Sequence, residues 1–329
     1  MDQGRTEASS SHTGIRIGLS AVIIALRDRE AAVLTTHAPD GAPALPFGPF
    51  DPARDRTFEL ALRAFVADQT GFPLGFVEQL YTFGDLGRAA PRATPGPDRA
   101  REISVGYLAL TADAPDGASF DANGFSTSGR DAAWTPIFHV FPWEDWRRGR
   151  PAVMERLIPA LCDWAGADAA RRGRIDALFA LAPGARWNEE RVLDRYELLY
   201  EAGLVEEAAR DNGRSAPAAL GDLPMTSDHR RILATGVARL RSKLKYRPVL
   251  FDLTPTTFTL STLQAAAEAV AGLSLHKQNF RRGVERTGLV QPTGVFTSDT
   301  GGRPAELFRH IRPEPGDGAA FGLSLPGQR

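Results

Sequence analysis

The chain has 329 residues, of which 39 are basic and 40 acidic, giving a net charge of −1. That length fits two or three domains with a sizeable buried core, and near-average charged and apolar fractions exclude extended disorder and fibrous folds. A single cysteine excludes an internal disulfide, and no apolar run approaches the roughly 18 residues that span a bilayer. The start MDQGRTEASSSHTG lacks the apolar core of a signal peptide, so a cytoplasmic protein with no membrane partner is expected. Residues 1–14 and 314–329 are polar or rich in Gly and Pro and read as disordered tails.

From residue 15 to 142 strand and helix signals mix. IRIGLSAVIIAL, AAVLTT and ISVGYLALTA read as strands. Between them DRTFELALRAFVADQTG places Phe58, Leu62, Phe65 and Val66 at helical spacing, with Gly71 as the stop. His139, in the apolar run PIFHVF, is expected to be a hydrogen-bonded core residue rather than a ligand. Residues 143–224 then read as helix followed by a linker. PAVMERLIPALCDWAG, ARRGRIDALFALA and NEERVLDRYELLYEAGLVEEAAR carry apolar residues three and four apart, and DNGRSAPAALGDLP reads as a domain boundary. Cys162, within LIPALCDWAG, is expected to be a small buried hydrophobe.

Residues 225–313 have a different texture. From Asp228 to Arg247 a helix candidate carries seven basic residues against one acidic. In TLSTLQAAAEAVAG, Leu260, Leu263, Ala267 and Val270 form one apolar stripe, with Thr259 as N-cap and Gly272 as stop. SLHKQNFRRGVERTG follows after a short turn, with Ser274 as the expected N-cap, Leu275, Phe280 and Val284 inward, and Gly288 at the end. Two β-prone runs around TSDTGG then predict a hairpin, and the sum is a winged helix-turn-helix. The candidate DNA contacts are Thr262, Lys277, Gln278, Asn279, Arg281, Arg282, Arg286 and, on the wing, Arg303. Guanidinium groups suit guanine edges or phosphates, amides suit adenine edges, and a groove or phosphate is within reach of a wing arginine. Protein docking by the same module, with a solvated basic helix, is the bland alternative.

No phosphate loop, dinucleotide glycine motif, H-E-x-x-H or nucleophile elbow is present, and no catalytic residue, resident cofactor or metal ligand is assigned. One frame is familiar. AFVADQTGF, Ala64 to Phe72, resembles the Nudix box REuxEExGu, where u is aliphatic, with its carboxylates mostly gone: aligned on Gly71, Ala64 and Phe65 stand for Arg and Glu, and Asp68 and Gln69 for two glutamates. A hard divalent ion needs several converging oxygens, so metal catalysis is not expected there.

The stretch VEQLYTFGDLGR followed by ISVGYLAL, and later FTLSTLQ, NFRR and GRPAELFR, make the chain similar to the Nudix-related transcriptional regulators of NAD metabolism, the NrtR type. FPWEDWRRGRP and RYELLYEAGLVEEA bring it nearest to the alphaproteobacterial branch called NadQ. The resemblance implies an α+β protein: a Nudix-like α/β/α sandwich over 15–142, a helical insertion and linker over 143–224, and a winged helix-turn-helix over 225–313. It also implies a repressor of NAD biosynthesis genes that binds double-stranded operator DNA as a homodimer and answers to ADP-ribose, NAD or ATP. For that effector Tyr81, Phe83, Asp85 and Arg88 offer stacking surface, a ribose-binding carboxylate and a phosphate-binding guanidinium. The helix from Asp228 to Arg247 is the expected lever between the two ends. An alternative from another class is a weakly active Nudix hydrolase of ADP-ribose or a related nucleoside diphosphate, using Asp68, Asp85 or Glu102.

Overall fold

The structure, a computed structural model, describes residues 14–38, 41–85, 101–112, 132–215, 220–245, 247–297 and 304–311. Both predicted tails fall outside this set, apart from Gly14. The first half is built on strands β1 (Ile15–Arg27), β2 (Glu30–His37), β3 (Pro43–Ala44), β4 (Phe47–Pro49), β5 (Val77–Phe83), β6 (Arg101–Thr111) and β7 (Ala132–Pro136), with helix α1 (Phe58–Thr70) between β4 and β5. Helices α2 (Ile137–Val140), α3 (Met154–Ala165), α4 (Ala169–Phe179), α5 (Val192–Glu201), α6 (Glu206–Asp211) and α7 (His229–Lys243) follow. The chain then forms β8 (Thr257–Phe258), α8 (Leu260–Ala271), α9 (Lys277–Thr287), β9 (Val290–Thr297) and β10 (Ala305–His310).

The first seven strands make one mixed sheet with the path β3-β2-β1-β6-β5, β4 joining β1 and β7 joining β2. β1 and β6 run parallel from Ile15 opposite Arg101 to Ala25 opposite Thr111. β1 is apolar on both faces because both are covered. Leu19, Ala21, Ile23 and Ala25 meet Leu62 and Val66 of α1, whereas Val22 and Ile24 meet Ile232 and Val237 of α7. Gly236 permits the close approach of α7: a Cβ there would stand 2.9 Å from Val22 Cγ1.

α1 ends where expected. The Thr57 hydroxyl accepts from Leu60 N at 3.2 Å, and Gly71 closes the helix at φ 70°, a left-handed conformation that favours glycine. In the second half the Thr259 side chain caps α8 and Gly272 ends it at φ 69°. α9 begins later than the sequence predicts. Ser274 is exposed and caps nothing. Glu268 Oε1 accepts from Leu275 N, and Leu275 O accepts from Gln264 Nε2, so this backbone is held to α8 and His276 precedes the first helical turn. Leu275, Phe280 and Val284 are buried as expected, and β8, β10 and β9 form the antiparallel wing sheet.

Two further expectations are corrected. Cys162 is exposed, because α3 turns Leu157, Leu161 and Ala165 inward and leaves Cys162 on the outer face. His139 is exposed on α2, where its carbonyl, rather than its ring, holds Leu223 N at 2.8 Å.

The segment read as a linker is pinned where it is described. Leu220 and Met225 are buried, Asp222 pairs with Arg230, and Thr226 N donates to Pro43 O at 2.9 Å. The basic helix is also not a solvated one: Arg230, Arg241 and Lys243 are buried. One continuous apolar core runs from the α7 face of the sheet through the helical insertion to Leu263, Val270, Phe280 and Val284 of the winged helix.

Candidate nucleic-acid interface

α9 carries the candidate DNA-contacting surface. Its inner positions Phe280 and Val284 lock it to α8, and the hydrophilic remainder faces outward. Lys277, Gln278, Asn279, Arg282 and Arg286 are exposed, as is Thr262 on α8, whose hydroxyl lies 2.9 Å from that of Thr259. Arg281 is half-buried and leans toward α8, its Nη2 3.5 Å from Ser261 Oγ. Among the described residues none of these cations forms an ion pair, so their charge is available to a polyanion. Arg303 lies outside the described residues.

The described members of the predicted effector set, Tyr81, Phe83 and Asp85, have different surroundings. Phe83 is 3% exposed and belongs to the core under α7, while Tyr81 is 63% exposed and meets the Phe83 ring edge-on at 5.4 Å. Asp85 is engaged by Arg231 of α7, which also holds Glu197 of α5. Arg88 lies outside the described residues. Tyr81 stands opposite Gly106, whose missing Cβ would point at Phe83 and Ile232, so this strand faces α7. The stretch Ala64–Phe72 is on the other face, with α1. There Phe65 packs against Gly48, within 3.0 Å of where a Cβ would stand, Asp68 is exposed, and Gln69 Nε2 donates to Phe47 O at 2.7 Å. Among the described residues no group of three or more His, Cys, Asp and Glu is arranged to hold a metal.

What joins the two ends is a set of buried charges that sequence reasoning missed. Glu144, in a 3-10 turn at Pro142–Glu144, bonds Arg195 at 2.5 and 2.9 Å and Arg241 at 2.6 Å, and all three side chains are fully buried. Arg241 Nε continues to Val270 O on α8 at 2.9 Å. Gly272, at the end of α8, lies against this cluster. A Cβ there would collide with the Glu144 carbonyl oxygen and stand 2.8 Å from Arg241 Nη2, while Trp146 N donates to Gly272 O at 2.7 Å. α7 is fastened to β5 as well, by Lys243 with Glu78 and Arg231 with Asp85.

Burial pulls the Arg241 guanidinium below its ordinary value, with Glu144 opposing that pull. Burial also acts to lower Arg231, but the charges of Glu197 and Asp85 outweigh it and hold the group above its usual range. On the α1 face, burial and then the Glu59 charge push the Tyr107 hydroxyl up. No single signal in the sequence marks Glu144, since the acidic pair Glu144 and Asp145 between two tryptophans is indistinguishable from surface until the fold brings the arginines to it.

A mixed sheet between helices, continuous with a winged helix-turn-helix, defines a two-part α+β protein. The family model of the NrtR DNA-binding winged helix domain matches residues 250–310, and the chain carries a winged helix of that type. The ADPR responsive transcriptional repressor NtrR of Acinetobacter baylyi is 37% identical over 87 residues, which are 26% of this chain and 34% of that protein. The matched stretch therefore spans about a third of the curated relative. Crystal structures of Shewanella oneidensis NrtR, alone and complexed with a 27mer DNA, share the fold. Their TM-scores are 0.52 and 0.51 at 19% and 20% identity, covering 90% of this chain and 94% and 93% of theirs. No described helix is long and apolar enough to cross a membrane.

Proposed function

We propose that this chain is a transcriptional repressor that binds operator DNA as a homodimer and is controlled by an NAD-related nucleotide, its targets being NAD biosynthesis genes. The observation that carries the reading is α9, a helix of the NrtR winged-helix type with Lys277, Gln278, Asn279, Arg282 and Arg286 exposed and, among the described residues, in no ion pair. Phosphate contacts supply affinity and the amide and guanidinium tips supply base recognition. Residues 15–142 form the sensor, 143–224 the helical insertion and 225–313 the reader, with α7 shared between sensor and reader through its ion pairs. ADP-ribose leads the candidate effectors because the curated relative is named as responsive to it, with NAD and ATP next. Losing the box carboxylates then has a purpose, since a sensor that hydrolyses its ligand reports badly.

Fluorescence anisotropy of the full chain on DNA upstream of its organism's NAD biosynthesis genes tests this, repeated with ADP-ribose, NAD and ATP. Specific, salt-sensitive binding altered by one nucleotide is the expected result. No specific binding under any condition, together with magnesium-dependent release of AMP from ADP-ribose, would replace the reading with a hydrolase. A concentration-independent monomer in gel filtration would remove the dimer.

A further inference from the structure

We propose that Arg29, on the sheet body and outside the winged helix, contacts a backbone phosphate of the bound DNA. This rests on the DNA-binding reading above. A cleft of about 1100 Å³ separates the β1–β2 turn from the reader, with Arg29 on one wall and Ser261, Thr262, Lys277 and Arg281 on the other. Arg29 and Lys277 form no ion pair among the described residues, and Arg281 Nε is buried without a hydrogen-bond partner.

Helical periodicity divides the cations of α9 into two sets. Lys277 and Arg281, one turn apart, share the flank toward α8, whereas Gln278 and Arg282 lie opposite the buried Phe280 and Val284. The outward set faces base edges. The flank set faces the cleft, beside the Ser261 and Thr262 hydroxyls at the start of α8. Glu285 and Glu306 also line the cleft, so its three cations exceed its two carboxylates by a single positive charge, which one phosphodiester neutralises. Without Arg29 that excess disappears.

The turn itself points the same way. Asp28 and Arg29 adopt φ values of 47° and 66°, the left-handed pair that two-residue hairpins normally fill with Asn-Gly. An arginine there carries strain that glycine would not, and among the described residues its side chain makes no hydrogen bond or ion pair.

Glycine therefore gives a clean test, because Arg29→Gly removes the cation while relieving the backbone. The full-length wild type, R29G, R29K and R282A are titrated with the labelled upstream duplex across a potassium chloride series, and thermal melting is followed alongside. For R29G the slope of log affinity against log salt is expected to flatten by about 0.9, the signature of one lost phosphate contact. Its melting temperature should hold or rise, and R29K should restore most of the slope. Wild-type affinity and slope in R29G, with R282A weakened, would overturn the role of Arg29 and leave the DNA reading intact. Absence of duplex binding by the wild type would overturn both.

Discussion

At the scale of a residue, Glu144 is where the structure concentrates charge. Its carboxylate is shared by two guanidinium groups, and the remaining donors are largely met by carbonyls: Arg195 Nη1 by Leu178 and Asn188 at 3.1 and 3.0 Å, Arg241 Nη1 by Glu189 at 3.0 Å. Removing the shared anion leaves two buried cations facing each other without compensation. Glu144→Gln keeps the shape and removes the charge, and is expected to destabilise the chain by about 3–5 kcal/mol, the usual range for breaking a buried pair. A fall in the urea midpoint at unchanged slope reads it, and a loss below about 1 kcal/mol would show that the site is wet rather than dry. Gly272→Ala attacks the same junction from the other side. The new methyl has both a left-handed backbone and the Glu144 carbonyl against it, so protection of the α8 C-terminal amides in hydrogen exchange should fall before global stability does.

Helix α9 separates stability from function at the scale of an element. Its inner edge is core, so Phe280→Ala is expected to cost about 3–5 kcal/mol. Its outward face carries Arg282 and its flank carries the half-buried Arg281, so the double change Arg281→Ala and Arg282→Ala should abolish operator binding at a smaller cost in stability than Phe280→Ala. Unchanged shifts of the duplex on gels would reject α9 as the reader. These elements were legible in the sequence because their signals are local: the Thr259 cap, the stops at Gly71, Gly272 and Gly288, and the apolar stripe of α8 depend on neighbours three or four residues away. The misread positions depend on partners far along the chain. Ser274 lost its capping role to Glu268 and Gln264 of another helix, and Arg230 and Arg241 of α7 are buried because Glu207, Asp222 and Glu144 come from the helical insertion and the segments around it. A count of basic residues cannot reveal that, since charge on a helix reads as surface until its counter-ions are placed. The surroundings of Tyr81, Phe83 and Asp85 were not legible for a related reason: strand alternation puts Tyr81 and Phe83 on one face, but only the tertiary fold buries Phe83, leaves Tyr81 exposed and pairs Asp85 with Arg231.

For the whole molecule, α7 is the physical link between the sheet body and the winged helix, the proposed sensor and reader. It holds β5 through Arg231 with Asp85 and Lys243 with Glu78, and it holds α8 through Arg241. A nucleotide changes operator affinity only if it binds two arrangements of this assembly unequally, and the coupling must be reciprocal: DNA changes nucleotide affinity by the same factor. Such factors are typically about 5 to 150-fold. Arg231→Ala cuts the ties to Asp85, just beyond β5, and to Glu197, while leaving Lys243 with Glu78, α9 and the Glu144 cluster in place. DNA affinity without nucleotide is therefore expected to stay within about threefold of wild type, a shift below 1 kcal/mol. The nucleotide effect should shrink toward unity in both directions, in anisotropy of the duplex with and without nucleotide and in calorimetry of the nucleotide with and without duplex. If Arg231→Ala retained the full wild-type factor, the signal would have to travel by the core contacts between sheet and α8 instead. Loss of the factor in only one of the two titrations would violate linkage and show that the two experiments were reporting different oligomeric states.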